Sequence, residues 1–177
     1  VQVIQARPQT APASVEALGS VVAAQTLTLQ SEIAGRVVHV HPDLVPGGTI
    51  KKGEVLLRLD SRQFAMALAE RKANEERARF ELALEKGRGR VAAREWQLVG
   101  AEKNSGPDGR ALALREPHLK NAQAALLGAE AAVAKAQLDV SRSVLRAPFD
   151  VLVTKESVEV GQIVTPQSQL TTLVGTE

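Results

Sequence analysis

Two histidines, His39 and His41, flank Val40 in a run whose alternation predicts a β-strand, so both imidazoles would leave the same face. Such a pair could hold a divalent metal with Asp43 beside it, since imidazole and carboxylate are ordinary zinc ligands. No third strong ligand is near in sequence, and His118 lies far along the chain, so we read them as surface histidines and expect no metal and no cofactor. Lys51 and Lys52 fall in a glycine-bounded turn, where solvated charges account for them. Gly87-Arg88-Gly89 lacks the further glycines that would cradle a phosphate. With no cysteine there is neither disulfide nor thiolate chemistry, and no Ser/His/Asp or paired-carboxylate arrangement is visible, so an enzyme is not expected. Trp96, the only tryptophan, suits either a protomer-contact anchor or a packing residue between helices.

The composition limits what could position these residues. Of 177 residues 44% are hydrophobic, but aromatics are 2% and tyrosine is absent, so Ala, Val and Leu carry the apolar character. Such a chain suits thin, closely packed helices better than a thick core. The 22 basic and 20 acidic residues nearly cancel, and no basic patch with stacking aromatics marks a nucleic-acid partner. No run approaches the ~20 apolar residues of a membrane span. The strand-like opening Val1-Gln2-Val3-Ile4 is what a chain trimmed of its targeting segment would show.

Residues 1–60 predict β structure, with strands at 21–29, 35–40 and 54–59 punctuated by turns such as Pro46-Gly47-Gly48. Residues 61–146 predict helix. Asp60-Ser61-Arg62-Gln63 fits a capping box, with Asp60 as N-cap and Gln63 reaching back. A turn-rich break at 104–109 divides the helical region into two arms that must run antiparallel. About forty residues per arm give a length of roughly 50–60 Å. The second arm carries a seven-residue repeat, Leu112, Leu119, Leu126, Val133 and Val140, with Ala122, Ala129 and Ala136 three positions after the middle three. That is a coiled-coil seam of large and small knobs. Pro117 and the pair Gly87/Gly89 predict local bends, and Arg142 and Arg146 suit the helix end that Pro148 stops.

Strands return over 147–177, and with them an internal repeat. Gly47, Ile50, Gly53 and Leu56 have the same spacing as Gly161, Val164, Gln167 and Leu170. Gly35-Arg36-Val37-Val38 matches Val151-Leu152-Val153-Thr154 as the strand entering each half. Two similar halves around a long helical insert imply one pseudo-symmetric sandwich of α+β class.

The layout resembles the HlyD-like membrane-fusion (periplasmic adaptor) family of tripartite efflux pumps, most of all the adaptors of resistance-nodulation-division (RND) transporters. The residues that carry it are Glu32-Ile33-Ala34-Gly35-Arg36-Val37, the run from Val45-Pro46-Gly47-Gly48 through Lys51-Lys52-Gly53-Glu54-Val55-Leu56, and Arg146-Ala147-Pro148-Phe149-Asp150. The family usually has glycine next, where Val151 stands here. The resemblance implies a split lipoyl-like β-sandwich, residues 21–60 and 147–177, with an inserted antiparallel coiled-coil hairpin over 61–146 and its tip near 100–109. Gly35, Gly47, Gly53, Gly161 and Pro148 would be its structural positions. The family's β-barrel and membrane-proximal domains would lie outside this chain, residues 1–20 being a stub leading from the barrel.

Arg94, Leu98 and Ser105 match the spacing of the family's channel-docking motif. The function so implied is to link an inner-membrane transporter, RND first, to a TolC-type outer-membrane channel for export of drugs or other toxic compounds. The adaptors would sit in the periplasm, attached to the inner membrane, and assemble as a homo-oligomer, a hexameric ring. An ABC or major-facilitator exporter is the alternative transporter, and a coiled-coil spacer without export role the rival class. A lipoyl or biotin carrier is rejected. The turn that would present its modified lysine is replaced by the hairpin, and the junction Asp60-Ser61-Arg62 holds no lysine.

Overall fold

A computed structural model describes residues 14–19, 22–99 and 107–176. Four strands precede the helices: β1 (Thr26–Gln30), β2 (Gly35–Val40), β3 (Thr49–Ile50) and β4 (Val55–Leu59). Helices α1 (Arg62–Val99), α2 (Pro107–Ala113) and α3 (Glu116–Arg142) follow, and then β5 (Val144–Arg146), β6 (Val151–Glu156), β7 (Ile163–Val164) and β8 (Gln169–Gly175). Among the described residues no helix is long and apolar enough to cross a membrane.

The strands form two four-stranded sheets, ordered β1-β8-β6-β3 and β5-β4-β2-β7. Each sheet borrows a short strand from the other half of the chain: β3 pairs with β6, and β7 with β2. The exchange is reciprocal at the level of single hydrogen bonds. Gly47 donates to the Val153 carbonyl at 2.8 Å and Val153 to Gly48 at 2.9 Å; Gly161 donates to Val37 at 2.8 Å and Val37 to Gln162 at 2.9 Å. Between the sheets lies one core to which both halves contribute, Val37, Ile50, Leu56 and Leu57 from the first and Val153, Val164, Leu170 and Leu173 from the second. Burying each such side chain stabilises the fold by about 1.5–3 kcal/mol.

The repeat is therefore a turn-and-core signature. Gly47 and Gly161 occupy φ of 88° and 94°, left-handed conformations that glycine adopts without strain. Ile50 and Val164, and then Leu56 and Leu170, fill equivalent core positions. Gly53 also has positive φ, whereas Gln167 does not. Both turns are closed in the same way, the Lys51 N–H donating to Glu54 Oε2 at 2.9 Å and the Thr165 N–H to Ser168 Oγ at 3.0 Å, and the second does so without a left-handed residue at Gln167. Val151 opens β6 with its side chain 1% exposed, filling core volume that glycine would leave empty.

Helices α1 and α3 pack against each other and run antiparallel, leaving the sandwich between β4 and β5. The Leu59 N–H donates to the Ser143 carbonyl at 2.8 Å, tying the entry of one helix to the exit of the other. The structure corrects several expectations here. Helix α3 ends at Arg142, not at Arg146, because Ser143 turns its hydroxyl back to the Val140 carbonyl at 2.6 Å and residues 144–146 pair with β4 as a strand. Asp60 lies one residue outside the cap: its carboxylate accepts from the Arg62 N–H at 3.1 Å, while the helical ladder starts at the Ser61 carbonyl. The reciprocal bond expected of Gln63 is not among the hydrogen bonds of the described residues. Pro117 does more than bend its arm. It occupies the first turn of α3, and the chain breaks between α2 and α3 because a proline at that point has no N–H to continue the ladder. Gly87 and Gly89, by contrast, lie within an unbroken α1.

Candidate docking site at the hairpin end

Helix α1 has 38 residues and so extends about 57 Å, carrying its last turns well away from the sandwich. Arg94 and Leu98 lie there, four residues apart and hence on one face. Both are exposed, Leu98 to 82%, although an apolar side chain gains by leaving water. Ser105 lies outside the described residues. Trp96, between them in sequence, is half-buried, and its indole N–H is shielded from solvent without an acceptor among the described residues. Its ring thus sits on the packing side of α1, while Leu98 faces outward.

The helices that hold this end in place pack through stripes of seven-residue period. On α3, Leu119, Leu126, Ala129, Val133 and Val140 are half-buried, and Ala122 and Ala136 are buried. Leu112 departs from the expected seam at 60% exposure, because the break before α3 shifts the helical phase of α2. It lines a groove with Val91, Arg88 and Glu95 of α1. The facing stripe on α1, Leu68, Glu75, Leu82, Gly89 and Trp96, also recurs every seven residues and is half-buried throughout. Counting apolar residues does not find it, since glutamate and glycine hold two of its five places.

Glu85, outside that stripe and three residues after Leu82, does what no apolar pattern announces. Its Oε2 accepts from Arg115 Nε at 3.0 Å and Nη2 at 2.8 Å, while Oε1 accepts from Arg88 at 2.7 Å. The Arg115 guanidinium, then that of Arg88, holds the Glu85 carboxyl below the usual carboxylate range. Arg115 itself stands at φ 60°, ψ 24°, between α2 and α3. Thirty residues separate the partners, so only the folded hairpin brings them together.

The remaining candidates fall elsewhere. His39 is exposed near the end of β2 and His41 is half-buried just after it. His41 Nδ1 accepts from the Asp43 N–H at 3.1 Å, which occupies one of its ring nitrogens. No group of three or more histidine, aspartate or glutamate side chains among the described residues is placed to hold a metal. In the turn before β4, the Lys52 N–H donates to Asp150 at 2.7 Å and Arg146 donates to the Gly53 carbonyl at 2.8 Å, linking the two halves. Arg142 pairs with Glu32 at 2.5 Å, fixing the end of α3 to the sandwich.

Residues 25–174 match the model of a family described as CzcB-like, barrel-sandwich hybrid domain. The multidrug resistance protein MdtA of Cronobacter turicensis is 31% identical over 161 residues, a stretch covering 91% of this chain and 37% of that protein. MdtA of an Escherichia coli O17:K52:H18 strain is 32% identical over the same share of both. The chain thus spans little more than a third of the length of these relatives. Among solved structures, a putative efflux transporter from Bacteroides eggerthii superposes with a TM-score of 0.63 at 22% identity, over 88% of this chain and 41% of that one. MacA from Actinobacillus actinomycetemcomitans does so with a TM-score of 0.57 at 22% identity, over 87% and 49%. At that identity the superpositions carry the fold alone.

Proposed function

The chain belongs to the CzcB-like barrel-sandwich hybrid family, whose members are non-enzymatic membrane-fusion proteins, and on that premise we propose that it is the sandwich-and-hairpin core of a periplasmic adaptor in a tripartite efflux pump. The observation that carries the reading is Leu98. An apolar side chain stands exposed beside Arg94 on the last turns of a helix that leaves a two-sheet sandwich for some 57 Å. A leucine flanked by a polar donor suits the groove of another helical hairpin, where it would be desolvated coiled-coil fashion.

In this reading the full-length protein is attached to the inner membrane and joins a transporter, of RND class, to a TolC-type channel. The adaptors form a hexameric ring whose hairpins line the conduit. Arg94, Leu98 and Ser105 engage the channel and help hold it open. Drugs are the cargo class that the name of the relatives, multidrug resistance protein, supports. The contribution of this chain is mechanical: the sandwich sets the hairpin's base and the hairpin sets the reach.

The reading is tested by photo-crosslinking the full-length protein in cells through a reactive group at Gln97, which is exposed between Arg94 and Leu98 in α1. An adduct with an outer-membrane channel is expected. Adducts with other copies of the protein alone would mean a self-assembling spacer instead.

A further inference from the structure

Both arms of the hairpin are weakened at one level. In the second arm the helix is interrupted between α2 and α3: the Arg115 N–H turns back three residues to the Leu112 carbonyl at 3.0 Å, and the next ladder begins when Leu119 donates to the Arg115 carbonyl at 3.0 Å. Pro117 prevents the two helices from fusing. In the first arm Gly87 and Gly89 stand inside α1, where glycine is among the poorest helix formers. The two weak points face each other, since a methyl group built on Gly89 would lie 3.7 Å from the Leu114 carbonyl oxygen.

Across this level runs the pair Glu85–Arg115. Among the described residues it is the only ion pair that joins α1 to the second arm; the other pairs lie within one helix, at the start of α1 or at the sandwich. The Glu85 side chain is 12% exposed, and two N–H groups of Arg115, Nε and Nη2, converge on its oxygen Oε2 in charge-assisted hydrogen bonds. Arg115 holds this position with a left-handed backbone that would suit glycine better. A glycine there would relieve the backbone and lose the guanidinium.

We propose that this level is a hinge in the hairpin and that the Glu85–Arg115 pair is the latch that holds the outer segment in line with the rest. Glu85 and Arg115 are then positioning residues, acting on the aim of Arg94 and Leu98 without touching a partner. The hinge stands on the geometry of the chain and holds whether or not the outer end docks on a channel.

The absence of cysteine makes the test clean, because two introduced cysteines carry the only spin labels. Labels at Lys72→Cys and Gln97→Cys, both exposed on α1 on opposite sides of Gly87 and Gly89, lie about 37 Å apart along a straight helix. Labels at Lys120→Cys and Gln137→Cys, both on α3 below the break, serve as the control pair. Distance distributions by pulsed electron spin resonance should be narrow for both pairs in the otherwise unaltered chain. Glu85→Gln and, separately, Arg115→Gly should widen the Lys72–Gln97 distribution to roughly double, as a helix bending at a weak point would, and leave the control pair unchanged. Arg115→Gly is the decisive variant. A break that is merely structural would keep or narrow its distribution when the left-handed residue becomes glycine, and that result would overturn the latch.

Discussion

The Gly47 N–H donates to the Val153 carbonyl at 2.8 Å, closing a turn of the first half of the sandwich onto a core strand of the second. Because Gly161 makes the equivalent bond to Val37, neither half can form its core-facing turns alone. The insertion of two long helices between the halves is tolerated because the ends of the insert are adjacent, Leu59 bonding to Ser143. The hairpin therefore leaves a closed base.

The turn holding Gly47 predicts an order of sensitivities. Gly47→Ala meets no atom within 4 Å but must hold φ 88°, which should cost about 1 kcal/mol. At Gly48 an added Cβ would lie 2.0 Å from the Asp43 carbonyl oxygen, so the turn itself must move. Gly48→Ala should therefore lower the urea midpoint clearly more than Gly47→Ala. The reverse order would contradict the turn geometry.

The helix packing predicts a contrast between filling and emptying the seam. Ala136 is buried, so Ala136→Leu forces a larger side chain into the contact and should cost about 1–3 kcal/mol. Leu126 is only half-buried, and Leu126→Ala should cost about 1–2 kcal/mol, below the range for a fully buried leucine. Denaturant unfolding of the chain reads both; a silent Ala136→Leu would mean the arms do not touch at that level.

Acid should act at the base of the hairpin through Asp60. Hydrogen bonds from the Arg62 guanidinium, then the Arg62 N–H, hold its carboxyl at about 2, below the ordinary 3.8. A carboxyl lowered by folding adds stability above its unfolded value, and that stability is lost as pH falls through the folded one. The difference in urea midpoint between the wild type and Asp60→Asn should be full above the ordinary carboxylate value and close as pH falls towards about 2. A difference that stays constant across that window would exclude the pair as its source.

The sandwich was legible in the sequence because its repeat falls on residues with sharp physical demands: glycines at positive φ, and Ile50, Leu56, Val164 and Leu170 in the core. Strand β5 was not legible. Val144, Leu145 and Arg146 directly follow a helix and continue its composition, and only pairing with β4 makes them a strand. The seam on α3 showed in leucine and valine spacing, but Leu112 could not be excluded from it without knowing that Arg115 resets the phase. Least visible was Glu85. A glutamate among many on a charged helix acquires its partner only when a residue thirty positions away is brought against it. At the outer end of the hairpin, Arg94 and Leu98 were singled out by the resembled motif, whereas Val91, which lines the adjoining groove with Leu112, belongs to no motif.

The central claim, that the outer end of the hairpin docks through Leu98, is tested most directly by Leu98→Asp in the full-length protein. At 82% exposure Leu98 contributes little to folding, so the variant should fold and attach to the membrane as the wild type does. In a docked interface the new carboxylate would have to be buried without a partner, at a cost of several kcal/mol. Repeated around a ring, that loss acts on avidity as well. The control is Glu81→Lys, an exposed change lower on α1 that should leave export intact. Measured as drug efflux in a strain lacking its own adaptor, Leu98→Asp should abolish export while protein level and membrane fraction stay normal. Full export by Leu98→Asp would contradict the account.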